Sequence, residues 1–478
     1  MANAGSGRFG RAARSVSQET CPEKCPVFGD GEQQGKTNER LPYQAGPPAE
    51  TRHPQAERIL MRNSLLVVLT GMALNLVHPG LLNAQVTYEL ADGFESEQLF
   101  SYDAGAPFAL QLGGLAFSPE GEPIVSEGGE IRIHCEDGAR VLASFQPAVF
   151  GSFLVMGPGG LNAWFGESSE QNIYRVPLDG SGAQLVDRIG FNFDMVFAPR
   201  AARGEIAGRG FISGLGASPG NSVWLLDDDP EAANDEIVTG ISPFSGPITF
   251  DPAGNLYLVT AGLTDIETGT ASEKLVRFSP AQLAAAVGEG ALQLTDGELL
   301  CTGMGGYYDL AWLDGKLYAT SLGFQSGVGS IDTLAPGMDF SRNAFARLSI
   351  GTEPGGSMIY LAAHAGSGGF EPGAGQQGGS LLASYGNYVD ASGITRFTPE
   401  LHFLRSDANG DETVNLSDAV FVIAYLFLDG EHPRINEASD INADGVLDLA
   451  DAVYLLNFLY RGGPRPPAPF PAVGVDPR

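Results

Sequence analysis

The sequence predicts a mostly β protein: a β-propeller followed by a small all-α calcium-binding module at the C-terminus. Three observations carry this. A strand–turn–strand theme returns irregularly through the middle of the chain. Only one stretch there, 280–287, has helical character. Near the C-terminus a 12-residue loop rich in Asp and Asn occurs twice, 33 residues apart, each copy running into an apolar helical pattern.

Composition narrows the function. The 478 residues carry 57 acidic against 27 basic side chains, a formal net charge of −30, and are 43% apolar but only 18% charged. That is too apolar for disorder. The charge argues against nucleic acid and anionic membrane as partners, since both repel an acidic surface.

The first element is a leader. Residues 1–60 show neither strand nor helix periodicity, and 61–84 have the layout of a signal peptide. Arg62 is the positive start, Leu65–Val77 the apolar stretch, and Leu82-Asn83-Ala84 a small-residue cleavage site. The apolar stretch is too short for a transmembrane anchor. The expectation is a chain translated from Met61 and secreted or held at the cell surface, with Cys21 and Cys25 removed. Cleavage after residue 84 leaves 18 basic against 50 acidic groups, a net charge of −32. The remaining Cys135 and Cys301 could pair after export or serve as separate buried apolar groups.

The propeller is expected over 85–400. Its theme reads Gly114-Leu-Ala-Phe-Ser-Pro-Glu-Gly, Gly246-Pro-Ile-Thr-Phe-Asp-Pro-Ala-Gly and Asp309-Leu-Ala-Trp-Leu-Asp-Gly-Lys, with weaker copies near Phe153, Asp194 and Ser357. Pro supplies a fixed φ and Gly a positive one, as the connecting hairpins require. Equivalent positions Phe117, Val155, Phe197, Phe250, Trp312 and Tyr360 recur at spacings of 38–62 residues. Irregular all-strand repeats of this length indicate five to seven blades, with six favoured. The pattern resembles secreted six-bladed propellers of the NHL and lactonase type over about 300 residues.

Asp194 and Asp309 hold the same place in two repeats, just ahead of the strand expected to line the axis, with Asn192 nearby. The lactonase resemblance implies an axial divalent cation held by such residues, polarising a carbonyl. The first blade offers Leu112 or Gly113 where those enzymes have Glu. The other reading is that the two carboxylates cap turns or bond strand-end amides. His134 and His364 lack neighbouring ligands for zinc. The Gly-rich stretch 366–379 lacks the Lys-Ser/Thr of a phosphate loop, and Asp227-Asp228-Asp229 reads as a solvated turn.

The second domain is expected over 401–470, with 471–478 as a tail. Loops 407–418 and 440–451 place oxygen ligands at positions 1, 3, 5, 9 and 12, the spacing of an EF-type calcium loop. The first set is Asp407, Asn409, Asp411, the Thr413 carbonyl, Asn415 through water and Asp418. The second is Asp440, Asn442, Asp444, the Val446 carbonyl, Asp448 and Asp451. Two calcium ions are expected. Position 6 of the first loop is Glu412 instead of Gly, which suggests a turn leaning on Gly410. The helices expected over 417–429 and 450–461 end at Gly430 and Gly463 and bury Phe421, Tyr425, Tyr454 and Phe458. The Pro-rich stretch after Gly462 either packs back or extends.

This tandem resembles a type I dockerin over about 405–463. The resemblance implies calcium and a cohesin-like or cell-surface protein partner. Positions 10 and 11, Leu416-Ser417 and Leu449-Ala450, are more apolar than the Ser/Thr pairs of cellulosomal dockerins. The leading reading is therefore a non-enzymatic, exported propeller that binds an unidentified ligand and docks through its calcium module. The alternative is a metal-assisted, lactonase-like hydrolase with its site on the propeller axis. N-terminal sequencing of the exported protein should return Gln85, and a sequence starting before Met61 overturns the processing scheme.

Overall fold

The structure is a computed structural model that describes residues 86–475 apart from 104–111, 136–137, 150, 169, 203, 218–219, 228–232, 243–245, 261–272, 303–305, 324–326, 335–342, 352, 367–377, 387–390 and 429. The leader, the signal and Cys21 and Cys25 lie outside those residues, as do Asp228, Asp229 and most of the Gly-rich stretch.

Six antiparallel sheets form six blades. Their innermost strands are Leu112–Phe117, Gly151–Met156, Asp194–Phe197, Ile248–Phe250, Tyr307–Leu313 and Ser357–Gly366, and each neighbours the next in a ring that returns from the sixth to the first. Blade two shows the plan: Gly151–Met156, Asn162–Glu167, Asn172–Pro177 and Gln184–Arg188 follow one another outward, joined by turns. Blades five and six recruit the chain's beginning. Val86–Leu90 pairs antiparallel with Asn343–Ile350 on the outside of blade five, and Phe94–Asp103 pairs with Ala391–Pro399 on the outside of blade six. Two distant segments thus latch the ring. No repeat pattern could announce this, because a strand's partner lies outside its own window.

The first helix, α1 (Pro280–Ala286), lies where expected. Ser279 caps it, accepting from the Gln282 N–H, while Gln282 reaches back to the Ser279 N–H. Helices α2 (Leu416–Phe427), α3 (Asn436–Ser439) and α4 (Leu449–Arg461) follow the last blade.

The core lies between the sheets, as in any stack of amphipathic layers. Phe211, Val223, Phe250 and Phe278 fill the space between blades three and four, and Phe345, Leu348, Leu381 and Phe397 that between five and six. All six aligned positions fall on inner strands, one per blade. Phe117 and Phe250 are buried, whereas Phe197 and Trp312 are half-buried because they sit near the end of short inner strands. Tyr360 is out of register. A bulge between Met358 and Leu361 shifts its strand, placing Tyr360 level with Asp309 and Ala363 level with Trp312. Cys135 belongs to blade one and Cys301 to blade four, and no disulfide joins them.

Inner strands of neighbouring blades do not share a ladder, so their edge amides need other partners. Asp194 accepts from the Met195 N–H at 2.7 Å and from Ile248 N–H of the next blade at 2.8 Å, while its cross-strand neighbour Ser213 donates to the Gly246 carbonyl. Asp309 and its neighbour Thr320 repeat the device. Asp309 accepts from Leu310 and Leu361 N–H groups, both at 2.7 Å, and Thr320 donates to the Ile359 carbonyl. Replacing Asp309 with Ala strands the Leu361 amide and should cost about 1–3 kcal/mol. Asp309→Asn, keeping an acceptor, should cost less. Denaturant unfolding of the full chain checks both.

Candidate functional site

Two places gather the residues singled out in the sequence. The first is the pair of C-terminal loops. Asn415 caps α2 by accepting from the Ser417 N–H, and Asp448 caps α4 by accepting from Ala450. Asp418 and Asp451 answer from N3, accepting from the Asn415 and Asp448 N–H groups at 2.9 Å each. The loops then close on themselves in the same way. Asp407 accepts from Asp411 and Glu412 N–H groups, and Asp440 from Asp444 and Gly445. Asp411 accepts from Thr413 and Asp444 from Val446. The amides of Asn409 and Asn442 donate to Asp418 and Asp451. In both loops the side chains of positions 1, 3, 5 and 12 are thereby turned toward the loop's own interior.

Position 6 needs a correction. Glu412 itself takes a left-handed φ of 64°, as Gly445 does at 83°, so the first loop does not transfer the turn to Gly410. Gly410 and its counterpart Ala443 are both left-handed as well. The loop geometry overrides the preference of Glu.

The two repeats share one core. Ala408, Ala419 and Val422 are buried together with Ile441, Ala452 and Leu455, their counterparts 33 residues on. The aromatic residues expected there are only half-buried, because alanines at the contact let α2 and α4 approach closely. Tyr425 instead packs on His432, Phe458 on Phe470, and Tyr454 donates to the Arg465 carbonyl. Gly430 and Gly463 end the helices equivalently, donating to the Ala424 and Asn457 carbonyls. The Pro-rich stretch packs back, with Gly474–Val475 paired to His402–Phe403. Sequence reasoning missed Arg405, a buried guanidinium that donates to the carbonyls of Ala468, Glu437 and Asp440. Its only sequence signal is a lone Arg ahead of an acidic loop.

Burial pushes the carboxyls of Asp418 and Asp451 upward, and the charges of Asp407 and Asp411, or of Asp440, add to the shift. A hard cation among these oxygens would remove that repulsion. The donor set, all oxygen, fits calcium.

The second place is the axial channel, a cavity of about 400 Å³ lined mainly by apolar side chains of all six inner strands. Asp194 and Asp309 both line it. Burial pushes Asp194 up to about 7, and burial together with the charge of Asp194 raises Asp309. Asn192 is buried elsewhere: it accepts from Ser152 and donates to carbonyls including that of Glu167. His364 lines the channel against Phe117, and His134 lies against Phe100 with its pKa lowered by burial. Asp227 pairs with Arg209 at 3.6 Å. Among the described residues no three Asp, Glu, His or Cys side chains gather tightly enough to hold a metal alone. The loops would complete a shell with amide and carbonyl oxygens, whereas the channel offers two carboxylates already engaged by amides.

Residues 405–460 match the type I dockerin domain family. Solved structures similar to the chain include a gluconolactonase from Xanthomonas campestris, 14% identical with a TM-score of 0.43, covering 66% of this chain and 94% of that one. A PQQ-bound aldose sugar dehydrogenase from Streptomyces coelicolor is 12% identical with a TM-score of 0.40, covering 64% and 99%. A carbohydrate-active enzyme from Trichoderma reesei is 12% identical with a TM-score of 0.45, covering 67% and 100%. A search of curated proteins returned no match. The six-blade architecture rests on the strand pairing itself.

Two outcomes follow from this geometry. Glu412→Gly should stabilise the first loop by about 1 kcal/mol, since Gly takes the left-handed turn without the penalty of a side chain; calorimetry of the full chain reads this. Asp194 binds its proton more tightly folded than unfolded, so its contribution favours folding below about pH 4 and is lost as pH rises through about 7. The stability of the native chain relative to Asp194→Asn should therefore fall between about pH 4 and pH 8, as measured by thermal unfolding of both proteins across that range.

Proposed function

We propose that the chain is an exported docking protein: its C-terminal module binds two calcium ions and attaches to a cohesin-like partner, carrying the propeller as a ligand-binding unit. The observation that carries this reading is the identical hydrogen-bond scaffold of the two loops, repeated residue for residue at a spacing of 33. Type I dockerin domains as a class bind calcium and dock to cohesins, and proteins bearing them are typically extracellular or attached to the cell surface. Among the described residues no helix is long and apolar enough to cross a membrane.

In each loop the proposed ligands are the ones the spacing named: Asp407, Asn409, Asp411, Asp418 and the Thr413 carbonyl, and Asp440, Asn442, Asp444, Asp451 and the Val446 carbonyl. Asn415 and Asp448, already serving as helix caps, contribute through water. Calcium neutralises carboxylates that otherwise repel one another, so loop closure and packing of α2 on α4 are coupled to binding. The apolar pairs Leu416/Leu449 and Val420/Val453 are exposed on both helices, which favours a partner surface less polar than one built for Ser/Thr.

The alternative, a metal-assisted hydrolase on the axis, has against it that both oxygens of Asp194 and of Asp309 accept strand-end amides, and that Asn192 is bonded elsewhere.

Calorimetry of the full chain should show a C-terminal transition that is lost in EGTA and restored by calcium, while the propeller transition persists. Asp418→Ala or Asp451→Ala should weaken calcium binding at least a hundredfold. Asn415→Ala should lower helix stability by about 1 kcal/mol with a much smaller effect on affinity. A module transition indifferent to EGTA overturns the reading.

A further inference from the structure

The Arg405 guanidinium links three parts of the C-terminal module that the calcium loops alone do not join. It is among the chain's largest fully buried side chains, at 1% exposure. A buried guanidinium is tolerated only where its N–H groups find acceptors. Nε donates to the Ala468 carbonyl in the returning Pro-rich strap at 3.0 Å. Nη1 donates to the Glu437 carbonyl in α3 at 3.0 Å and to the carbonyl of Asp440, the first residue of the second loop. The Arg405 amide donates to Pro469 at 2.8 Å. Further contacts pin the strap: Phe470 on Phe458 at 5.4 Å, Arg465 over Phe470 at 5.2 Å, and the pairing of Gly474–Val475 with His402–Phe403.

This arrangement breaks the symmetry of the repeat. The residue 33 positions after Arg405 is Ala438, so the second approach segment has no guanidinium to return to the first loop. The two segments lie side by side through the Ser406 N–H and the Ala438 carbonyl, and the one cation is spent on the second loop. That loop also carries the larger charge, four carboxylates (Asp440, Asp444, Asp448, Asp451) against three in the first. A fixed positive group behind it offsets part of their repulsion.

We infer that Arg405 and the strap over 464–475 form the back wall of the second calcium loop alone, so that releasing the strap weakens calcium binding at 440–451 and leaves 407–418 unaffected. Arg405 is here a positioning residue, acting on the Asp440 backbone and not on the ion. The inference rests on the calcium reading above, and the experiment separates the two.

The test uses the full chain in two backgrounds. Asp407→Ala leaves the second loop as the intact one, and Asp440→Ala leaves the first. In each, calcium is titrated by isothermal calorimetry with the strap intact, loosened by Phe470→Ala, or removed by ending the chain after Gly463. In the Asp407→Ala background both strap changes should lower affinity, removal by at least tenfold. In the Asp440→Ala background affinity should stay within about twofold. Arg405→Lys, which keeps the charge but not the fork of donors, should fall between intact and strap-deleted chains. Equal weakening in both backgrounds, or none in either, overturns the inference while leaving calcium binding standing. Absence of calcium binding in the unsubstituted chain overturns both.

Discussion

The propeller depends on how its inner strands are held at the axis. Six separate sheets meet there, and the edge amides of each innermost strand have no ladder partner in the neighbouring blade. Asp194 with Ser213, and Asp309 with Thr320, answer this by accepting an N–H and donating to a carbonyl of the next inner strand, two residues apart. An unmade bond of this kind in a buried place costs more than the bond itself contributes. The same requirement accounts for the chemistry of the channel. Carboxyls positioned to serve buried amides are desolvated, hold their protons toward neutral pH and have their oxygens committed.

The C-terminal module solves a different problem by repetition. Each 12-residue loop satisfies its own amides with its own carboxylates, and each capping box ties the loop to the helix that follows. Like charges are concentrated as a result, which is unfavourable until a cation arrives. The small residues Ala419 and Ala452 let the helices meet closely, leaving the aromatic groups to the strap and the module's margin. Symmetry is then broken once, by a single buried arginine.

Much of this was legible in the residues. The blade repeats, the six aligned positions, helix α1 with its Ser279 cap and both calcium loops are local patterns, written in spacing and turn chemistry. What escaped has a common character. The latching strands Val86–Leu90 and Phe94–Asp103 pair with segments more than 250 residues away. The bulge that displaces Tyr360 depends on its partner strand, and Glu412 adopts a glycine's conformation because the closed loop imposes it.

The sequence by itself determined the repeat number, the element types and the ligand chemistry of the loops, since periodicity, turn residues and oxygen spacing act over a few residues at a time. Only the tertiary structure decided which oxygens remained available. Asp194 and Asp309 look like ligands in isolation and become inter-blade acceptors once the ring closes, because buried amides outrank a cation that other groups must help to hold. Arg405 looks unremarkable in the chain and becomes the link between strap and loop, because a buried guanidinium must find carbonyls wherever the fold brings them.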